Sequence, residues 1–590
     1  MTLHPASSRL WIVAALMACA PLSNGASTAT ATPAPQVVRA DTIATLLRRL
    51  TVRQKVGQLV MPWLLADYAA TDAPTMVKAR MWVDSLQVGG IIISTGTPLD
   101  MAAKLNALQR RAPLPLLISA DFEGGTTMRV AAGTGFPTQM GVAATGKVED
   151  AYTMGLVTGR EARAMGVHLA FAPVADVNSN PDNPIINTRS FGSDPRAVGA
   201  LVAATVRGLK DGGVLATAKH FPGHGDTDTD SHLAMPSLPF GYARMDTLEL
   251  IPFRSAISAG VDAIMSAHIA LPAMDSGVSR PGTLSPAILT GLLQDSLHFT
   301  GLVTTDALDM GAIVKTFGAE EAVIRAFEAG TDILLMPADP ASAITAMTKA
   351  VESGRISMAR LDRSVRKILE LKVKMGLFRQ REVDLAKVPD VVGTAASQAV
   401  AAGITSRALV LLKDSLGTVD ALRAAPRKVA LVSIADVGST LGTALATELR
   451  AAGYTVTAAR VSTTEPTPKE LAAATAAIDG AESVVLATSA RWGSYSGVIG
   501  LAPATADLLK SLAARKPAIL ISFGSPYIIA QVPAAASYLI AWSNTTLAEK
   551  AVAQALSGRK AITGRAPIPI PPLWSLGTGL QRTATRGQIP

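Results

Sequence analysis

The sequence predicts an α/β protein in two parts, a (β/α)8 TIM-type barrel followed by a second α/β open-sheet (sandwich) domain. Three observations predict it. Eight short β-branched runs recur between residues 40 and 378, almost wholly apolar rather than alternating, as parallel strands buried on both faces must be. The stretches between them, such as 101–111 and 197–210, are long enough for crossover helices. Charged residues recur just beyond the ends of the runs, where the βα loops of a barrel converge.

In chain order the runs are 56–61, 90–94, 116–120, 167–171, 214–218, 263–266, 302–305 and 333–336. An amphipathic helix over 356–375, stopped by Gly376, closes this part. Residues 379–400 read as a connector. Six further runs, 409–412, 429–434, 455–457, 484–488, 518–522 and 538–541, predict an open parallel sheet of five or six strands. No Gly-x-Gly-x-x-Gly follows its first strand, so no dinucleotide is expected. The proline-rich stretch 566–572 is expected to lie extended across the surface.

Of the 590 residues, 49 % are hydrophobic and 17 % charged, which supports a large core and excludes a disordered chain. Mean hydropathy is +0.32, yet one stretch alone, near the N-terminus, is strongly apolar, so multi-pass membrane architecture is excluded. The net charge of +9 is scattered and leaves no nucleic-acid footprint. With 12 Phe, 6 Trp and 7 Tyr, aromatics are sparse for a cleft that stacks a long polysaccharide. A single cysteine excludes an intrachain disulfide and a cysteine-based zinc site.

That cysteine ends a secretory pattern: Arg9, then apolar residues 10–18, then Cys19. Leu16-Met17-Ala18-Cys19 resembles a bacterial lipobox, in which Cys19 would be lipidated; the alternative is a plain signal peptide cut elsewhere, after Ala26 for instance. The expected organisation is a signal peptide (1–18), a flexible Ala/Thr/Ser/Pro tether (19–39), the barrel (40–378), the connector (379–400) and the C-terminal domain (401–590). The expected location is the periplasm or cell envelope, with membrane contact only through the N-terminal anchor.

Reading past each barrel run gives Asp121, Glu123 and Arg129 after the third and Asp176 and Arg189 after the fourth. Lys219-His220 ends the fifth, His268 follows the sixth and Asp306 the seventh. The segment KHFPGHGDTDTDSH at 219–232 is the strongest local signal. His220 and His224 are four apart, but Pro222 and Gly223 break the helix that would bring them to one metal. Asp226, Asp228 and Asp230 imitate a calcium loop, but Ser231 and Ser237 stand where Gly and Glu are needed. No metal and no cofactor are expected. The segment reads instead as a mobile catalytic loop hinged at Gly223 and Gly225. In it Asp230 can hold one imidazole nitrogen of His232 and make the other an acid/base near neutral pH.

Three further segments join this loop: Asp121-Phe122-Glu123-Gly124-Gly125 with Arg129, Asn183-Pro184 through Arg189-Ser190-Phe191-Gly192, and Met265-Ser266-Ala267-His268. Val303-Thr304-Thr305-Asp306 follows. In this order they resemble the β-N-acetylglucosaminidase branch of glycoside hydrolase family 3. Ser522-Phe523-Gly524-Ser525-Pro526-Tyr527 resembles that family's C-terminal α/β domain. Thr126-Thr127 departs from the Arg-Val that often follows the glycine pair. The resemblance implies a retaining glycosidase that releases terminal β-linked N-acetylglucosamine from cell-wall or chitin-type oligosaccharides, with Asp306 as nucleophile and His232, oriented by Asp230, as acid/base. It also implies that Asp121, Arg129, Arg189, Lys219 and His220 hold the terminal sugar. Asp309, one helical turn past Asp306, is expected to point away. His268 reads equally as a support of the site or as core. An imidazole acid/base also suits a phosphate acceptor, so a phosphorylase is the first alternative. A family β-glucosidase and a non-catalytic cell-wall-binding lipoprotein are the others. With nucleophile, acid/base and sugar contacts all before residue 380, second-domain loops such as Arg491-Trp492-Gly493-Ser494 are expected to have no catalytic role.

Overall fold

The computed structural model describes residues 40–585 apart from His232, Val437 and residues 491–499. Its first part is a closed barrel. β1 (Val60–Met61) and β2 (Trp63–Leu65) are one strand interrupted at Pro62, which has no amide proton to give the ladder. There follow β3 (Gly90–Ser94), β4 (Leu117–Ala120), β5 (Leu169–Ala170), β6 (Leu215–Phe221), β7 (Ala263–Ser266), β8 (Leu302–Thr304) and β9 (Leu334–Leu335). From β2 to β8 they pair in chain order, all parallel. β1 pairs with β9, and the Thr305 amide donates to Ile333 O at 3.1 Å, closing β9 on β8.

Each expected run contains a strand, but the first begins late. Val52–Gly57 is a helix instead, because Thr51 and Gln54 form a reciprocal cap, with Thr51 N–H donating to Gln54 Oε1 at 2.9 Å. The helices Pro98–Arg111 and Pro195–Asp211 are two of the crossovers, and Met358–Lys374 closes the ring.

The second part holds β10 (Val410–Asp414), β11 (Lys428–Ile434), β12 (Thr455–Val461), β13 (Ser483–Thr488), β14 (Ala518–Ser522) and β15 (Ser537–Ile540). Their order is β10-β15-β14-β13-β11-β12. The sheet is mixed, not wholly parallel as expected: β10 runs antiparallel to β15. β10 opens the domain and lies beside its last strand, so no crossover helix fixes its direction.

The two parts are joined by more than the chain. Met140 and Ala144, on a barrel helix (Gln139–Ala144), belong to the core of the second sheet. Arg407 pairs with Asp150 at 2.6 Å. The stretch expected to lie on the surface is inserted: Ala566, Ile568 and Ile570 are buried, since alternate residues of an extended chain face one way. Its Pro567 carbonyl accepts from the Ser193 amide at 3.1 Å. Among the described residues, no helix is long and apolar enough to cross a membrane.

At the N-terminal face of the barrel, Lys372 is wholly buried and donates to Gln58 Oε1 at 2.7 Å. Burial, with help from Arg381, pushes its ammonium down to about 7 from the usual 10.5. Nearby, His168 Nδ1 accepts from the Ile118 amide at 3.1 Å, and burial holds that imidazole well below its ordinary value. The sign for Lys372 follows from linkage. Between pH 7 and 10.5 the unfolded chain holds the proton that the folded one releases, so stability rises with pH across that window. The burial cost is fully present below pH 7. Lys372→Met, close in volume, should therefore raise barrel stability at pH 6 by about 1–3 kcal/mol and gain much less at pH 10, near the top of that window. Urea denaturation at the two pH values measures this, and an equal gain at both would refute it.

Candidate active site

At the C-terminal ends of the barrel strands lies a cavity of about 240 Å³ with two unlike walls. One wall comes from neighbouring strands β4 to β6 and their loops: Asp121, Glu123, Arg129, Arg189, Lys219 and His220. The other is apolar, with Trp63 from β2, Ile92 from β3, and Leu335 and Met336 at β9. Trp63 keeps 42 % of its surface exposed. Asp306 and Asp309, beyond β8, both reach the cavity. Asp309 does not point away as helical spacing suggested, because the helix begins only at Gly311.

The five expected sugar contacts are brought together in one chain of charges. Arg129 Nη2 donates to Asp121 Oδ2 at 3.0 Å, and Lys219 Nζ to Asp121 Oδ1 at 2.9 Å. Lys219 also meets Glu123 at 2.8 Å. Arg189 grips Glu123 with two bonds, 2.8 and 3.0 Å, the bidentate geometry that suits a guanidinium. Arg189 Nη2 lies 3.3 Å from His220 Nε2. A guanidinium can only donate, so Nε2 accepts and the ring proton sits on Nδ1, which donates to Asp176 Oδ2 at 2.8 Å.

Glu123 and Asp176 are the members of this chain to which the sequence assigned no role. Both stand in the loops that follow strands, Glu123 after β4 and Asp176 after β5, and both are buried. Burial alone would raise the Asp121 and Glu123 carboxyls, but Lys219 with Arg129, and Arg189 with Lys219, outweigh it. Asp121 sits below its usual range and Glu123 well below. Burial works likewise against the cations, and the carboxylates overcome it to raise Lys219 and Arg189. These four groups thus keep their charges throughout the neutral range.

The 219–232 segment is built on Asp176. That carboxylate accepts from the His220 amide (3.2 Å) and the His224 amide (2.7 Å). Burial raises it, and His220 and His224 bring it below its usual value. His224, pushed down to about 4 chiefly by burial, spans Thr227 Oγ1 (2.7 Å) and Ser231 Oγ (3.0 Å) with its two ring nitrogens. Gly225 has a packing role beside the expected hinge. A Cβ there would stand 1.7 Å from the Val177 carbonyl, so its smallness serves close packing. Gly223 has φ +135° and packs on Glu249. Ser231 reaches the cavity, and Asp230 is buried. His232 lies outside the described residues, as does Cys19. Among the described residues no cluster of His, Cys, Asp and Glu could hold a metal.

His268 is buried. Its Nε2 donates to the Ala307 carbonyl at 2.9 Å, with Nδ1 2.8 Å from Thr283 Oγ1. It thereby fixes Ala307, the residue after Asp306, by its carbonyl. The Ala307 amide in turn donates to Asp306 Oδ1 at 2.8 Å.

Residues 51–371 match the model of the glycosyl hydrolase family 3 N-terminal domain. The chain belongs to glycosyl hydrolase family 3. It is 30 % identical over 556 residues, 91 % of its length and 97 % of the relative's, to a β-N-acetylglucosaminidase/β-glucosidase of Cellulomonas fimi. It is 34 % identical over 365 residues, 59 % of its length and 90 % of the relative's, to β-hexosaminidase LpqI of Mycobacterium tuberculosis. A family 3 β-N-acetylglucosaminidase from Paenibacillus sp. str. FPU-7 superposes with a TM-score of 0.79 at 36 % identity, covering 88 % of this chain and 99 % of that one. The chain is thus an enzyme of the glycoside hydrolase class.

In this family 3 enzyme Asp176 touches the cavity only through His220 and His224. Asp176→Asn puts an amide donor among three N–H groups that need an acceptor. Hydrolysis of an aryl glycoside should fall by about 10- to 100-fold, equivalent to about 1.4–2.7 kcal/mol in the barrier. Steady-state kinetics with a melting curve checks it; unchanged kcat/KM would remove Asp176 from the site's support.

Proposed function

We propose that this enzyme is a retaining exo-β-N-acetylglucosaminidase that removes terminal β-linked N-acetylglucosamine from cell-wall or chitin-type oligosaccharides. The observation that carries the reading is the two-walled cavity with Asp306 at its edge. A pyranose presents hydroxyls around its rim and C–H groups on its faces. The fixed cations and carboxylates suit the hydroxyls through charge-assisted hydrogen bonds; Trp63 and its aliphatic neighbours suit the C–H face. The acetamido sugar is favoured by the KHFPGHG and Asp-x-His motifs and by the names of the relatives above.

Asp306 attacks the anomeric carbon while His232, held by Asp230, gives its proton to the departing oxygen. The C–O bond to the aglycone breaks as the bond to Asp306 forms. Water then attacks the same carbon, His232 takes its proton, and Asp306 leaves, so the configuration is retained. Asp121, Glu123, Arg189 and Lys219 keep their charges near neutrality, so none of these four shapes the pH profile there. Product analysis on chitobiose and a muropeptide, with and without phosphate, tests the substrate and the acceptor.

Asp306→Asn, isosteric, should keep the fold and lower turnover by at least about 10³-fold, or about 4 kcal/mol. Asp309→Asn should stay within about tenfold of wild type. The reverse ranking would transfer the nucleophile to Asp309. His232→Ala should spare kcat/KM on activated aryl glycosides, whose leaving groups need no proton, while lowering their kcat through the water step, and should impair kcat/KM on chitobiose severely. It should also erase the alkaline fall in kcat/KM, since a general acid fails when it is deprotonated. Equal losses on both substrates would make His232 structural.

Export and lipidation at Cys19 are part of the same proposal. Two or three acyl chains hold a protein on a membrane, each buried CH₂ contributing about 0.8 kcal/mol. Cys19→Ala should move the enzyme from the membrane fraction to the soluble envelope fraction. A soluble pool in both forms would refute the anchor.

A further inference from the structure

The second domain has a cavity that the barrel chemistry does not use. Its five parallel strands β11 to β15 stand in the order 2-1-3-4-5 when numbered along the chain. In such sheets the connections diverge beyond the carboxyl ends of the first and third strands, and ligands bind in the crevice left there. Here that place, beyond β11 and β13, is a crevice of about 540 Å³ lined by Asp436, Ser439, Thr440, Thr463, Ser489 and Asn544.

Its chemistry is selective. The anion position of this fold is the start of the helix after the first strand, here Thr443–Ala451. In this chain that place is taken. The buried Glu549 accepts from the Leu445 amide at 2.9 Å. Asp436, which accepts from the Thr463 hydroxyl, adds a second carboxylate at the mouth. Among the described residues, a phosphate or nucleotide would find the helix start taken by Glu549 and a carboxylate, Asp436, on the wall. What remains among the described residues is a ring of hydroxyls, one amide and one carboxylate, the groups that recognise an uncharged polyol.

Asn544 is also placed with strain. Trp542, two residues before it, has φ +63°, a conformation costly for a bulky side chain. It is locked there by burial and by its Nε1–H donating to the Ala408 carbonyl at 2.6 Å. Strain of this kind marks loops whose position matters. The strained turn presents Asn544 to the crevice and also to a second cavity, of about 490 Å³, between the domains. That cavity shares Glu123, Met128, Arg129 and Arg189 with the catalytic one.

We infer that the crevice at the carboxyl ends of β11 and β13 is a second, non-catalytic site for an uncharged saccharide unit, held by Asp436, Thr463 and Asn544. The sugar is either free or a distal unit of a longer glycan, and the test separates the two.

The test uses full-length Asp306→Asn protein titrated calorimetrically with N-acetylglucosamine, glucose, chitotetraose and inorganic phosphate. Two saccharide sites are expected. Thr463→Tyr, which fills the crevice, should abolish one and leave the other; Asn544→Ala, the milder change, should weaken the same one by at least about tenfold. In the active background both should hydrolyse a small aryl glycoside within about twofold of wild type. Equal affinity for monomer and tetramer identifies a free sugar. A gain of about tenfold or more with length identifies distal units. The crevice is read separately from catalysis, so the inference does not depend on which sugar the barrel cleaves. A single saccharide site untouched by either substitution in correctly melting protein, or phosphate binding that Thr463→Tyr removes, would overturn it.

Discussion

A charge taken out of water must be answered by another charge at close range, and in this barrel that requirement ties together strands distant in sequence. Asp121 and Glu123 leave β4, Asp176 and Arg189 lie in the loop after β5, and Lys219 and His220 end β6. Each carboxylate is reached by at least one cation or imidazole at 2.8–3.0 Å. Removing one partner from such a set leaves a buried charge unanswered, at about 3–5 kcal/mol. The network therefore stands or falls as a unit, and it is rigid before any substrate arrives. Groups fixed in advance need no reorganisation during a reaction.

Backbone contacts enforce the same geometry. Asp176 can accept from both the His220 and His224 amides because the loop after β6 lies directly on the loop after β5. Gly225 makes that approach possible, with Val177 O where its Cβ would be. One loop further out, Gly192 has φ +149° and its missing Cβ would stand 2.4 Å from the Pro567 carbonyl. The β5 loop is thus pressed between the β6 loop and the tail of the second domain. Both glycines let backbone meet backbone.

What the sequence revealed follows from which interactions are local. Apolar runs identify strands because burial on both faces leaves no polar alternative, and each run contains a barrel strand, although β2 lies just beyond the first run and β6 outruns the fifth. Their ends depend on caps and prolines, so the Thr51–Gln54 cap shortened the first. The direction of β10 is set by which strand it lies beside, which no pattern in its own residues records. In the site, Asp121, Arg129, Arg189, Lys219 and His220 were legible because barrel architecture places strand ends at the cavity. Glu123 and Asp176 were visible as charges but not as parts, since their partners are 66 and 44 residues away. Asp309 was misplaced because a spacing of three implies a helical turn only where a helix exists, and residues 307–310 precede it.

The sequence also suggested a barrel complete in itself, and the contacts qualify that. Every side chain with a proposed chemical step belongs to the barrel. Yet the Arg189 carbonyl accepts from Gln139 Nε2 at 2.7 Å, and Gln139 exchanges two more bonds with Val174, at 3.0 and 3.1 Å. Gln139 begins the helix whose Met140 and Ala144 are buried in the second domain's core and whose Gly141 abuts Trp542. Asn178, in the β5 loop, donates to the Tyr527 hydroxyl at 3.0 Å. The backbone that carries Arg189 and Asp176 is therefore braced on one side by the second domain. Stripping that domain away would expose the apolar face of the bracing helix and loosen the cation that neutralises Glu123. Glu123 in turn helps to hold Lys219, and Lys219 holds Asp121. Every proposed reacting atom lies in the barrel, but the position of the charged wall depends on the second domain.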